Sequence, residues 1–200
     1  MRIKNILSSM KLIIFLVEIK TRIYYHVNRY VFIYDKNEVY LLQPKINILI
    51  ININNQNYNK YISNIKEKTL KKRLNNYYKK KCHIYLATFK DIIVGHYILT
   101  SINNYQNDLF VKSKIFDKSG MIIFDCVTFP EFRRLNIYSA VLTYILNEVI
   151  NLNKKIYITT DINNINSQKG IEKAGFVKKY LVDYKEIFGK KIKEKIKVYS

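Results

Sequence analysis

The sequence predicts an α/β chain built on a mixed sheet, and three observations predict it. Strand-length apolar stretches recur along the chain, as at 82–89 and 92–99. Those in the first half follow one another as antiparallel candidates. From Met121 onward the order becomes strand, helix, strand, helix, strand. Length and composition permit such a fold. The chain has 200 residues, 48% of them hydrophobic and 14% aromatic, which suits one domain or one domain with an arm and is too apolar for disorder. Two prolines and five glycines exclude collagen-like and proline-rich architectures.

Each element has its own signal. The apolar run 12–17 is six residues long, far short of the roughly 20 that span a bilayer, and the charged stretch 18–22 follows where a signal peptide carries small residues. The expectation for 11–18 is an amphipathic helix packed on the domain. A basic helix in contact with a membrane surface is the alternative. Residues 30–42, broken at Asp35, Lys36 and Asn37, suggest two short strands joined by a turn. A stronger strand signal covers 46–53, and a polar loop covers 54–59. Between 60 and 80, Ile62, Ile65, Leu70 and Leu74 recur at helical spacing with lysines opposite, giving one surface helix or two short ones. The stretches at 82–89 and 92–99 form a hairpin around Lys90 and Asp91.

After the polar loop 101–108, a third long strand at 121–129 stops at Pro130. A helix is expected over 136–152, a strand over 155–160, and a short helix over 164–174 closed by Gly175 in a left-handed cap. One strand or a pair follows from Phe176, and the run 190–197 reads as a charged, solvated tail. The organisation is an N-terminal helix and strand segment at 1–59 packed on the domain, a core at 60–189, and the tail at 190–200.

The formal charge is +20, yet Ile, Asn, Lys and Tyr make up 102 of the 200 residues. A nucleotide composition rich in A and T produces those four residues, so much of the charge reads as compositional drift on a solvated face. Attraction to anionic partners is the other reading. Arginine, which clamps phosphates bidentately, occurs only six times. Cys82 and Cys126 form no CxxC, and His26, His83 and His96 have no metal-ligand spacing, so neither a disulfide framework nor a metal site is expected. A reducing cytoplasm fits.

The chemically informative segment runs from Phe129 to Leu142, where a strand ends, an arginine-bearing turn follows and a helix begins. Amides at a helix start are unpaired and lie at the positive end of the dipole, a ready site for phosphate or pyrophosphate. Arg133 and Arg134 add charge there. An ordinary strand-to-helix turn with two solvated arginines is the competing interpretation.

This run resembles the acyl-CoA motif of the GNAT superfamily of N-acyltransferases, Arg/Gln-x-x-Gly-x-Gly/Ala, which falls on Arg133, Asn136 and Tyr138. A second match is the stretch 161–176, similar to the family's Asn-x-x-Ala/Ser helix ending in Glu-Lys-x-Gly-Phe. A third and weaker match is the hairpin at 85–97, with Gly95 entering its second strand. Together they cover about residues 60 to 185 in order. The resemblance implies a mostly antiparallel central sheet splayed between the family's strands four and five, with the pantetheine arm of acetyl-CoA lying against Cys126, Val127 and Thr128. Its pyrophosphate is expected on Arg133, Arg134, Leu135, Asn136, Ile137, Tyr138 and Ser139, and its amides near Asn164 and Ser167, for which N-capping is the simpler role. An N–H of the strand would polarise the thioester carbonyl.

The implied reaction is direct acetyl transfer in a ternary complex to a primary amine of a small molecule, an amino sugar or similar. Asp125 is the first candidate base and His96 the second; for each, a satisfied structural side chain is the competing role. Cys126 reads as a small buried hydrophobe. The chain departs from the family pattern in three places: Asn136 and Tyr138 stand where the loop has small residues, and the family's tyrosine acid falls at Ile171, which has no proton to give. These departures keep a second function open, a GNAT-like binding module without catalysis that takes nucleic acid or another acidic partner, although no RNA-recognition signature or zinc finger is present.

Overall fold

The computed structural model describes residues 24–105, 113–187 and 190–199. The helix expected at 11–18 lies outside them, as does part of the loop after 101. Eight strands form one sheet. In chain order they are β1 (Tyr24–Tyr34), β2 (Leu49–Asn52), β3 (His83–Phe89), β4 (Ile92–Ser101), β5 (Met121–Thr128), β6 (Ile156–Asp161), β7 (Val177–Ile187) and β8 (Lys190–Val198). Across the sheet the order is β2-β3-β4-β5-β6-β1-β7-β8. Every neighbouring pair is antiparallel except β5 with β6. Among the described residues three α-helices accompany it: α1 (Lys68–Lys79), α2 (Ile137–Val149) and α3 (Ile165–Lys173).

Alternation along the strands assigns the two faces. On β5, Met121 and Ile123 join Val141, Leu142, Ile145 and Ile171 in the cluster beneath α2 and α3. Ile122 points the other way, into a cluster with Val27, Val31, Val182 and Tyr184. The amphipathic helix α1 buries Leu70 and Leu74 against Ile84, Leu86 and Ile98 on that second side. Glu67 starts α1 by accepting from the amides of Thr69 and Leu70. The spacing over 60–80 resolves into a π-helical turn (Asn59–Ser63) and α1, the two-helix form of the expectation.

The hairpin turn matches its sequence signal, with Lys90 and Asp91 both at positive φ, 48° and 62°, as a type I′ turn requires. Gly175 closes α3 at φ +93°. Three expectations need correction. Residues 30–42 do not form two strands: β1 ends at Tyr34, and the chain continues as an extended strap across α2. The Leu42 amide reaches Thr143 Oγ1 and the Lys45 amide reaches the Leu135 carbonyl. The strand expected at 46–53 is reduced to Leu49–Asn52, because its pairing with β3 begins only at Leu49/Thr88, beside the end of β3 at Phe89. The charged run 190–197 is not a tail but strand β8, paired along β7, with Lys193, Lys195 and Lys197 exposed. Its lysines protect an exposed edge from pairing with another chain.

Residues 24–34 supply an interior strand, since β1 runs between β6 and β7 with Val31 and Phe32 fully buried. Among the described residues no helix is long and apolar enough to cross a membrane.

Candidate functional site

The site begins with a failure of pairing. Strands β5 and β6 run together only from Met121/Ile156 to Ile123/Ile158. Beyond that point they diverge, and β5 continues to Thr128 bonded to β4 alone. A bulge assists the divergence: the register jumps between His96/Val127 and Ile98/Phe124, and Asp125 sits at φ 43°. The sheet is therefore splayed where the sequence resemblance implied.

The turn leaving β5 is shaped by left-handed residues. After the short 3₁₀ turn Pro130–Phe132, Arg133 is extended, Arg134 has φ 64° and Asn136 has φ 61°. Asparagine tolerates this region better than other side chains with a Cβ. Here its own amide also holds it, because Asn136 Nδ2 donates to the Gln43 carbonyl at 2.7 Å. The strap further anchors the turn through the Lys45 amide, 2.8 Å from the Leu135 carbonyl. Arg133 Nε donates to the Thr128 carbonyl at 3.3 Å. No side chain caps α2, whose first backbone bond comes from Ala140 to Asn136. The amides of its first turn are thus left over.

These amides border a cavity of about 660 Å³ between β5, the turn, α2 and α3. Of the residues expected on the donor, it gathers Cys126, Val127, Thr128, Arg133, Arg134, Asn136, Ile137, Tyr138, Ser139, Asn164 and Ser167. Leu135 is not among the lining residues; its carbonyl is bound to the strap and its side chain packs on the core. Asn164 caps α3 by accepting from the Ser167 amide at 3.1 Å, the simpler of the two roles expected for it. Ser139 Oγ donates to the Gly170 carbonyl at 2.9 Å, joining α2 to α3. Burial pushes the Cys126 thiol up, so it stays protonated and is a poor nucleophile.

A second cavity, about 400 Å³, opens from the same gap and is walled by Arg29, Tyr77, Tyr105, Phe124, Asp125 and Asp161. It shares Cys126, Tyr138, Asn164 and Ser167 with the first. A third, about 710 Å³, lies between the start of α1 and the ends of β4 and β5, with an apolar lining that includes Ile65, Leu70, Ile93 and Phe129 beside His96 and Arg73.

Asp125 and His96, the two candidate bases, adjoin one another. Asp125 Oδ2 lies 3.2 Å from Arg73 Nε and 3.5 Å from His96 Nε2, and Arg73 Nη2 is 3.2 Å from His96 Nε2. His96 is fully buried, and its Nδ1 has no partner among the described residues. Burial raises the Asp125 pKa, but interaction with His96, the Arg73 charge and the Tyr77 hydroxyl outweigh it, so the carboxyl titrates below its ordinary range. Burial and the neighbouring carboxylate push Tyr77 up to about 12, which keeps its phenol protonated beside Asp125. Asp125 is thus ion-paired with Arg73, but its Oδ2, like His96 Nδ1, is buried without a hydrogen-bond partner among the described residues.

A lowered folded-state pKa contributes stability above the unfolded value, and that stability is lost as pH falls through the folded value. Asp125→Asn is therefore expected to lower the urea midpoint at pH 7, with the gap from the parent closing below about pH 4. A gap of constant size across that range would show that the carboxylate charge contributes nothing.

The sequence reading missed Arg73, Tyr77 and Gly170. Arg73 had one available signal, an arginine in a helix otherwise supplied with lysine.

No protein-family model matches the chain, and no curated protein matches it. Solved structures match its fold. A GCN5-related N-acetyltransferase from Sphaerobacter thermophilus aligns over 88% of this chain and 57% of its own, with a TM-score of 0.57 and 12% identity. A GNAT-family acetyltransferase from Colwellia psychrerythraea aligns over 78% and 53%, with a TM-score of 0.53 and 16% identity. A tandem GNAT protein from the clavulanic acid biosynthesis pathway aligns over 82% and 54%, with a TM-score of 0.51 and 10% identity. The chain spans little more than half the length of these structures. The architecture is the GNAT acetyltransferase fold.

Proposed function

We propose that the chain is an acyl-CoA-dependent N-acyltransferase that moves acetyl from acetyl-CoA to a primary amine of a small molecule, such as an amino sugar. The observation that carries this reading is the cavity at the start of α2. An uncapped helix N-terminus, a turn bent by Arg134 and Asn136, and the Arg133 and Arg134 side chains meet there. That donor set suits a pyrophosphate. The side of β5 left unpaired by the splay offers backbone groups to the amides of an extended arm.

In this reading the donor lies in the 660 Å³ cavity with its thioester near Cys126, and the acceptor approaches through the remainder of the gap. The amine nitrogen attacks the carbonyl carbon, the C–N bond forms, the C–S bond breaks, and the thiolate leaves with the electron pair. A backbone N–H of β5 stabilises the oxyanion, and positioning supplies much of the rate. His96 takes the ammonium proton, directly or through a water, and Asp125 with Arg73 orients the imidazole. A carboxylate held below its ordinary range accepts a proton poorly, which leaves the imidazole as the better-suited base of the pair.

The test is calorimetric titration of the protein with acetyl-CoA, alongside Arg133→Glu. One-to-one binding is expected, weakened about 10–100-fold in the variant by loss of a charge-assisted contact and by added repulsion. No binding by the unmodified protein would overturn the reading.

A further inference from the structure

We propose that Tyr138 sets the length of acyl chain that the groove accepts and restricts it to acetyl. This rests on the donor reading above and concerns a feature that reading does not use, the waist between the two cavities of the gap. Tyr138 is one of four described residues that line both cavities, and it has the largest side chain of the four. Its backbone belongs to the first turn of α2, where the pyrophosphate is placed, and its ring reaches from there toward Cys126, where the thioester is placed.

The ring is held on three sides. It stacks on Tyr97 with centroids 6.1 Å apart and planes 22° from parallel. Its hydroxyl lies 3.2 Å from Ser167 Oγ. Its edge rests over Gly170, where an added Cβ would come within 2.5 Å of Cδ1. Tyr97 is itself held, its hydroxyl 2.7 Å from Thr128 Oγ1. Swinging the Tyr138 ring aside therefore means giving up a stacked pair and a hydrogen bond. Burial raises the phenol well above its ordinary value, so it remains a neutral hydroxyl and keeps that bond across the working pH range.

An acyl group entering along β5 meets this ring at the waist. A methyl passes beside it, whereas each further methylene must overlap the ring or displace it, and displacing well-packed side chains is costly. Gly170 belongs to the same device, since any larger residue on α3 would push the ring from its seat.

The experiment titrates the full chain with coenzyme A, acetyl-CoA, butyryl-CoA and octanoyl-CoA, then repeats the series with Tyr138→Ala and Tyr138→Phe. The parent is expected to bind butyryl-CoA and octanoyl-CoA at least about tenfold more weakly than acetyl-CoA. Tyr138→Ala should erase that difference, and Tyr138→Phe, which keeps the ring, should retain it. Equal affinity of the parent for all three thioesters would overturn the proposal and leave the donor reading intact. Discrimination that survives in Tyr138→Ala would also overturn it. Failure of the parent to bind coenzyme A in any form is a different result and removes the donor reading itself. If Tyr138→Ala does not fold, Tyr138→Leu takes its place and should likewise erase the difference; discrimination that survives there would overturn the proposal.

Discussion

Replacing His96 by glutamine is expected to lower the rate of amine-dependent thiol release by about 10²–10⁴-fold, the usual contribution of a positioned general base, while leaving acetyl-CoA affinity unchanged. His96 is fully buried on β4 with Nε2 facing Asp125 and Arg73, and its Nδ1 has no partner among the described residues. A buried polar nitrogen left unpaired costs about 1–3 kcal/mol, and such a cost is commonly retained where a ligand or reacting group supplies the partner. His96 borders the 710 Å³ cavity, while Asp125 lines the gap between β5 and β6. The pair thus connects the two spaces through which an acceptor could approach.

Glutamine keeps most of the volume and a hydrogen-bond donor but takes no proton, so the variant separates chemistry from packing. Thiol release would be followed with a thiol-reactive dye and the best acceptor from an amine screen. Asp125→Asn in the same assay should lower the rate by less than His96→Gln does, because the carboxylate positions the imidazole and does not touch the amine. An unchanged rate in His96→Gln would hand the proton to Asp125 or to solvent and end the role given to the histidine.

The segment from Met121 to Phe176 was legible because its signals are local. A strand stopped by proline, a helix start and a capping glycine each depend on a few neighbouring residues, as does the two-residue turn at Lys90 and Asp91 earlier in the chain. The position of β1 was not legible. Its pairing with β6 and β7 spans more than a hundred residues of chain, and hydrophobic alternation reports only that a strand has a buried face, not which neighbours it finds. The strap was missed for a related reason: its hydrogen bonds to Leu135 and Thr143 are non-local, and nothing in residues 35–48 announces them.

The turn proposed to hold the donor was read from Arg133 and Asn136. The partner that holds Asn136 left-handed, the Gln43 carbonyl, was not. The arginines carried more information than their small number suggested. Compositional drift toward lysine would erase an arginine wherever lysine served equally well. The four arginines among the described residues, Arg29, Arg73, Arg133 and Arg134, all border the gap or its adjoining cavities. Planar, bidentate cations are not replaceable by lysine at such places. The net charge of +20 is spread over the surface, whereas the described arginines within it gather at the gap and its adjoining cavities.

Gly95→Val is expected to destabilise the fold by about 3 kcal/mol, at the upper end of overpacking penalties. Gly95 lies on β4 between two register breaks, one against β3 after Ala87 and one against β5 after His96. A Cβ there would stand 2.6 Å from the Val127 carbonyl oxygen and 3.4 Å from Thr128 Cα. Both atoms are backbone, so relief requires β5 to move away from β4. The contrast with Gly170 is instructive. Its added Cβ would be as close, at 2.5 Å, but to the ring of Tyr138, which can move without shifting a strand, at the cost of its stack on Tyr97 and its hydrogen bond to Ser167. Gly170→Ala should therefore cost less stability and act mainly on the waist of the groove.

Urea unfolding of both variants would compare the midpoints at an unchanged slope. The Gly95 substitution should also weaken acetyl-CoA binding, because the atoms it displaces belong to Val127 and Thr128, the strand positions assigned to the donor's arm. A loss of stability no greater than that of Gly170→Ala would mean that β4 and β5 slide past one another easily. The bulge at Asp125 would then be a soft feature of the sheet rather than the rigid step that holds the gap open.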